Sequence, residues 1–209
     1  MKTRVFKIAD VSLEDMLRLA GELQAGAVAV LPTDTVYGIG TGAYQEASIQ
    51  KIYQLKNRPA TSPLQLLTGS LAQARQAAEF NENAEKLAVR FWPGGLTLIV
   101  PPTEQGKPLC RGFAGLGFRI PGHPFLVELL RKMSGPLACT SANLHGQDVI
   151  TEEKILLETF DGKVDYILLG GTLSPVASSV VDLTAAPRLL REGAISRSAL
   201  QAALGETLA

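Results

Sequence analysis

The chain is poor in cysteine, histidine, aromatic residues and net charge, and each shortage removes a class of reading. Its 209 residues include two cysteines, Cys110 and Cys139, and two histidines, His123 and His145. Neither pair sits at C-x-x-C or metal-ligand spacing. No disulfide framework and no metal held by protein side chains is expected, and a reducing, cytoplasmic compartment is the default. Lys plus Arg and Asp plus Glu number 20 each, giving a net charge of zero. A neutral protein has no global pull on nucleic acid or acidic membrane, so any RNA contact would be weak and would need a local basic patch. No run approaches the roughly 18 apolar residues of a membrane span. Residues 1–10 carry no apolar stretch leading to a cleavage site, so a soluble, unprocessed chain with no membrane partner is expected. No G-x-x-x-x-G-K-[ST] loop occurs and no G-x-S-x-G elbow surrounds Ser141, which argues against a P-loop enzyme and a serine hydrolase.

With 46% hydrophobic residues, the chain can bury one substantial core, and a single domain over 1–209 is expected. Short apolar runs at 5–8, 27–31, 64–67, 96–100, 118–120, 137–140, 166–169, 180–183 and 188–190 read as strands. Helical spacing occurs at 13–23, 47–55, 71–79, 84–91, 125–133, 152–160 and 198–204. The first of these helices opens with Ser12 as N-cap, with Asp15 three residues on, and Gly26 stops it. Early strands and helices alternate, whereas later strands crowd together on short links that favour antiparallel pairing. The fold class is therefore α/β: one twisted, mixed parallel/antiparallel sheet with packed helices. Gly38-Ile39-Gly40-Thr41-Gly42-Ala43 only loosely matches a dinucleotide fingerprint and reads as a turn cluster. Residues 103–115 read as a mobile loop.

Two short segments carry most of the chemistry. Lys56-Asn57-Arg58-Pro59 places two cations two residues apart beside a stiffening proline, on what reads as an exposed loop. Thr140-Ser141-Ala142-Asn143 follows a buried-looking strand. Arginine grips two oxygens at once, lysine adds a point charge, and a hydroxyl with an amide completes a receptor for a phosphate chain. The plainer readings are solvated charges at a helix end and a simple turn. Pro32-Thr33-Asp34-Thr35-Val36-Tyr37-Gly38 forms a polar loop at the C-terminal end of a strand, where open α/β sheets bind ligands. Alternation points Arg119 away from Phe118 and Ile120, and a guanidinium there needs either an anionic partner or exposure. Arg191 follows an apolar pair and reads as surface charge.

These segments, with Trp92-Pro93-Gly94-Gly95-Leu96-Thr97, Arg119-Ile120-Pro121-Gly122-His123-Pro124, Ser178-Ser179-Val180-Val181-Asp182 and Arg191-Glu192-Gly193, occur in an order that resembles the YrdC/TsaC-like family of threonylcarbamoyl-AMP synthases. The likeness runs from about residue 27 to 195. It implies a YrdC-like open sandwich with a concave cleft. It also implies an enzyme that makes threonylcarbamoyl-adenylate and pyrophosphate from L-threonine, bicarbonate or CO2, and ATP with Mg²⁺. A tRNA-modifying threonylcarbamoyl transferase would use the product.

The resemblance also assigns roles. Thr35 would touch threonine and Arg119 its carboxylate. Lys56 and Arg58 would hold the ATP phosphates and act as the catalytic cations. Cys139, Ser141 and Asn143 would line the nucleotide side. Ser178 and Ser179 would close the cleft, and Arg191 would reach the nucleotide. Two departures stand out. Many members carry a histidine near the position of Leu67, and the serine–threonine pair of the family is Ser178-Ser179 here. The extra C-terminal domain of the family's long form is not expected. Other readings are an RNA-binding or ribosome-maturation factor on the same surface, and a paralogue using another amino acid or carbamoyl donor.

Overall fold

Short, β-branched apolar runs separated by capped amphipathic helices dictate a layered α/β structure, and the computed structural model has that form. The structure describes residues 2–59, 61–173 and 176–209. Among them, ten strands form one sheet: β1 (Arg4–Lys7), β2 (Ala29–Leu31), β3 (Gly38–Gly42), β4 (Gln65–Leu67), β5 (Leu96–Val100), β6 (Leu116–Arg119), β7 (Leu137–Ser141), β8 (Tyr166–Leu169), β9 (Ser179–Asp182) and β10 (Arg188–Arg191). Their order is β1-β8-β2-β3-β7-β4-β6-β5-β9-β10. Pairs β1–β8, β2–β8, β4–β6 and β5–β9 are parallel. Pairs β2–β3, β3–β7, β4–β7, β5–β6 and β9–β10 are antiparallel, so the sheet is mixed.

The helices are α1 (Leu13–Gln24), α2 (Glu46–Lys56), α3 (Leu71–Ala77), α4 (Glu82–Phe91), α5 (Pro124–Lys132), α6 (Glu153–Phe160) and α7 (Arg197–Leu204). Ser12, Ser70, Asn81 and Ser196 cap α1, α3, α4 and α7 by accepting a main-chain N–H three residues on. Asn57 ends α2 in the left-handed region at φ 51°, a conformation asparagine tolerates, and so redirects the chain into Arg58. Leu19 and Leu23 of α1 and Leu126 and Leu130 of α5 pack with Leu67, Leu137 and Cys139. Leu66, Ala138 and Phe118 instead join α3, α4 and α7 in a separate cluster. Alternate residues of β4 and β7 thus feed different cores, which places Gly117 and Arg119 of β6 on the face opposite Phe118.

Three expectations need correction. Residues 38–42 are not a turn cluster but strand β3, paired on both sides with β2 and β7. A Cβ at Gly40 would lie 2.8 Å from the Ala138 carbonyl oxygen and one at Gly38 would lie 2.6 Å from Cys139 Sγ, so the glycines serve close strand approach. The segment 103–115 is partly ordered: Lys107–Cys110 forms a 3-10 turn that buries Leu109. Finally, β6 begins at Leu116, two residues earlier than the apolar run indicates, because Gly117 breaks the run without breaking the pairing.

Candidate functional site

The helix that delivers the cationic motif runs through Lys56 itself, so this residue is not on an exposed loop. Its side chain is buried, with 1% exposure. Lys56 Nζ donates to the Ser141 carbonyl oxygen at 2.5 Å, to the Asn143 carbonyl oxygen, and to Asn143 Oδ1 at 3.3 Å. In return, the Lys56 carbonyl accepts the His145 N–H at 2.8 Å. Ser141 Oγ donates to Asn143 Oδ1 at 2.5 Å, and Asn143 Nδ2 donates to the Gln147 carbonyl at 2.6 Å. Burial pulls the Lys56 ammonium down from 10.5 to about 8, the nearby Arg58 charge pushes the same way, and Cys139 opposes. The lysine and the 141–143 turn form one unit, as the two motifs together imply.

Arg58 is half-buried just beyond the helix. Its Nε and Nη2 donate to the carbonyls of Ser62 and Pro63 at 3.3 and 3.1 Å. These anchors fix the guanidinium plane. Burial lowers its pKa, with Tyr53 opposing, but an arginine remains charged at any working pH.

Arg119 is buried, not exposed. Its Nε donates to the Gly94 carbonyl at 2.9 Å, Nη1 to Thr35 Oγ1 at 3.1 Å and Nη2 to Asp34 Oδ1 at 2.5 Å. Thr35 is fixed in turn through Thr33: their hydroxyls lie 2.9 Å apart and Thr33 Oγ1 accepts the Thr35 N–H at 3.0 Å. Three of the five guanidinium N–H groups are thereby used.

Arg191 sits at the end of β10 and donates through Nε and Nη2 to the Ser178 carbonyl and Oγ at 2.9 and 3.1 Å. Ser178 Oγ lies 3.0 Å from Thr97 Oγ1, which also accepts from Gln65 Nε2. A polar layer therefore runs from β4 to β10. Ser179 points elsewhere: its hydroxyl donates to the Ile195 carbonyl at 2.5 Å and accepts the N–H groups of Gly193 and Ile195, which fixes the loop behind Arg191.

Two pairs of these cations feel each other's charge: Lys56 with Arg58, and Arg191 with Arg119. Arg191 is exposed at the end of its strand, as a surface charge would be; partial desolvation and then the charge of Arg119 lower its pKa. Burial pushes the Cys139 thiol up to about 12 against the opposing charges of Arg119 and Lys56. Cys139 is therefore a neutral thiol. Asp34 is the one carboxylate ion-paired to any of the four among the described residues. No group of three His, Cys, Asp or Glu side chains clusters as a metal cage among the described residues.

The contacts bring Lys56 to Ser141 and Asn143, Arg119 to Thr35, and Arg191 to Ser178, with Ser179 holding the loop behind Arg191. Asp34, Thr33, Gln65 and Thr97 join these groups without a role that the sequence motifs assign them. Asp34 and Thr33 lie inside the noted polar loop. Gln65 and Thr97 carried one available signal, a polar residue within an otherwise apolar strand.

Known proteins share this arrangement of chain. The Sua5/YciO/YrdC family model, described as telomere recombination, matches residues 22–193. The threonylcarbamoyl-AMP synthase of Pyrococcus abyssi is 37% identical over 191 residues, covering 90% of this chain and 56% of that protein. The one from Bacillus subtilis is 34% identical, covering 89% and 55%. This chain thus spans little more than half the length of these curated relatives. The crystal structure of P. abyssi Sua5 complexed with L-threonine superposes with a TM-score of 0.90 at 33% identity, covering 99% of this chain and 62% of that one. No helix among the described residues is long and apolar enough to cross a membrane.

Proposed function

The chain belongs to the Sua5/YciO/YrdC family, and from that premise we propose that it is a threonylcarbamoyl-AMP synthase, an enzyme of the nucleotidyltransferase class. The observation that carries the proposal is how four cations are anchored within the matched motifs: Arg119 on Thr35 and Asp34, Lys56 on Ser141 and Asn143, Arg58 on Ser62 and Pro63, and Arg191 on Ser178. The reaction must hold a carbamate beside a polyphosphate, and fixed cations, together with the Mg²⁺ that travels with ATP, would offset that repulsion. P. abyssi Sua5 binds L-threonine in its crystal, which supports the same substrate here.

In this reading Arg119 receives the threonine carboxylate, and Thr35 borders its side chain. The threonine amine adds to CO2, losing a proton and forming the carbamate. A carbamate oxygen then attacks the α-phosphorus of ATP in line, the bond to the β-phosphate oxygen breaks, and pyrophosphate leaves. Arg58 faces the leaving phosphates, while Ser141, Asn143 and Arg191 border the nucleotide. The chain supplies no nucleophile; it positions anions and offsets their charge. Mg²⁺ would arrive on the ATP phosphates as part of the substrate. The free thiols Cys110 and Cys139 suit a cytoplasmic setting, and a tRNA-modifying transferase would consume the adenylate.

The test is pyrophosphate release from purified protein with ATP, Mg²⁺, L-threonine and bicarbonate. Release that needs threonine and bicarbonate together is expected. Release with ATP alone would identify a pyrophosphohydrolase instead, and no release from folded protein would overturn the proposal.

A further inference from the structure

Lysine in a phosphate receptor is ordinarily taken as a mobile point charge that touches the phosphates. The geometry here points elsewhere. An ammonium has three N–H donors and no acceptor. All three donors of Lys56 have acceptors, and each acceptor belongs to the end of β7 or the turn after it: the Ser141 carbonyl, the Asn143 carbonyl and the Asn143 side chain. The side chain is 1% exposed, so no hydrogen-bonding edge of it faces solvent. The bonding is also reciprocal, because the Lys56 carbonyl accepts the His145 N–H at 2.8 Å. The last turn of α2 and the 141–145 segment are therefore tied together from both sides.

We propose that Lys56 is a positioning residue that clips the Ser141–Asn143 turn to the end of α2, and that it does not grip the phosphates. Its charge orients two main-chain carbonyls and one amide. The pair Ser141 Oγ to Asn143 Oδ1, 2.5 Å apart, depends on that orientation, because Asn143 Oδ1 also accepts from Lys56. Direct anion contact then falls to Arg58, whose anchoring uses two N–H groups and leaves three. The division of labour explains why the two cations of one short motif differ in burial. Only the nucleotide part of the test rests on the proposed function; the clip itself exists without a ligand.

The experiment compares Lys56→Met, Lys56→Arg, Asn143→Ala and the Lys56→Met/Asn143→Ala double variant, each checked for folding by circular dichroism. Hydrogen exchange is measured first on ligand-free protein. Lys56→Met should speed exchange in the 141–147 segment, whereas Arg58→Met should leave it at the wild-type rate. ATP affinity is then measured by calorimetry. Lys56→Met should weaken binding about 10- to 100-fold, the range for losing a hydrogen bond to a charged group. The double variant should be no weaker than the weaker single variant, since both act through one turn. Lys56→Arg keeps the charge but replaces three convergent donors with a planar fork, so it should lose both exchange protection and affinity.

Wild-type exchange in Lys56→Met with multiplied losses in the double variant would establish a direct phosphate grip and overturn the clip. Full ATP affinity in Lys56→Arg would do the same, and this variant decides the matter if Lys56→Met does not fold. Absence of ATP binding by wild type would count against the proposed function alone, because the exchange measurement would still judge the clip.

Discussion

Arg119 Nη2 donates to Asp34 Oδ1 at 2.5 Å, and the arginine is far better buried than its partner: their side chains are 4% and 20% exposed. The asymmetry makes Asp34 the more removable member. Asp34→Ala would leave a buried guanidinium without an anion, whereas a substrate carboxylate could take up that role. We expect Asp34→Ala to cost about 1.5–3 kcal/mol of stability, the range for a hydrogen bond to a charged group. We also expect L-threonine to raise the melting temperature of this variant more than that of wild type. Equal shifts in thermal melts would detach Arg119 from threonine recognition.

Much of this site was legible in the sequence because its motifs are local. Alternation along β6 turned Arg119 away from Phe118, and apolar runs placed β2, β5, β7 and β8 within two residues of their observed bounds. What escaped reading depends on partners distant in the chain. Lys56 looks exposed until its acceptors, 85 and 87 residues later, are brought alongside. Asp34 meets Arg119 across 85 residues, and Thr97 meets Ser178 across 81. Strand β3 escaped for a different reason: its glycines carry no periodic apolar signal, and only the closeness of β7 explains them.

Lys56 should leave a signature in the pH dependence of stability. Burial, with Arg58 adding to it and Cys139 opposing, places the folded-state value at about 8 against 10.5 for an ordinary lysine. Between those values the unfolded chain holds a proton that the folded chain has released. Stability from this group therefore rises with pH across the window, by at most about 1.4 kcal/mol per unit. Cys139 acts in the opposite sense above pH 9, because burial raises its thiol from 9.0 to about 12. The difference between wild type and Lys56→Met in urea melts from pH 7.5 to 9, below the range in which Cys139 contributes, isolates the lysine. Wild type should gain on the variant as pH rises; a constant gap would mean that Lys56 titrates normally.

The polar layer of Gln65, Thr97 and Ser178 should couple stability to nucleotide binding. Thr97 Oγ1 accepts from Gln65 and lies 3.0 Å from Ser178 Oγ, on which Arg191 rests. Thr97→Val keeps the side-chain outline and removes that junction, leaving buried polar groups short of a partner. A loss of about 1–3 kcal/mol is expected in urea denaturation. The KM for ATP should rise as well, because Arg191 loses part of its support. A destabilised variant with an unchanged KM would separate Arg191 from nucleotide binding.

Arg58 offers the sharpest separation of turnover from folding. Its fork rests on the carbonyls of Ser62 and Pro63, so its orientation is set before any anion arrives. The side chain is only half-buried, and Arg58→Ala leaves carbonyls that water can reach. Stability should therefore change by no more than about 1 kcal/mol, near the scale of surface substitutions. If the remaining N–H groups meet charge that develops on departing pyrophosphate, turnover should fall about 10²- to 10³-fold, as for a lost oxyanion donor. Arg58→Lys tests whether charge alone suffices. Lysine restores the positive charge but not the planar fork held by two carbonyls, so its rate should fall between those of wild type and Arg58→Ala. Pyrophosphate release at saturating ATP, threonine and bicarbonate, paired with urea melts of the same preparations, reads both quantities. Full turnover in Arg58→Lys would reduce the role of Arg58 to charge; full turnover in Arg58→Ala would remove it from the reaction.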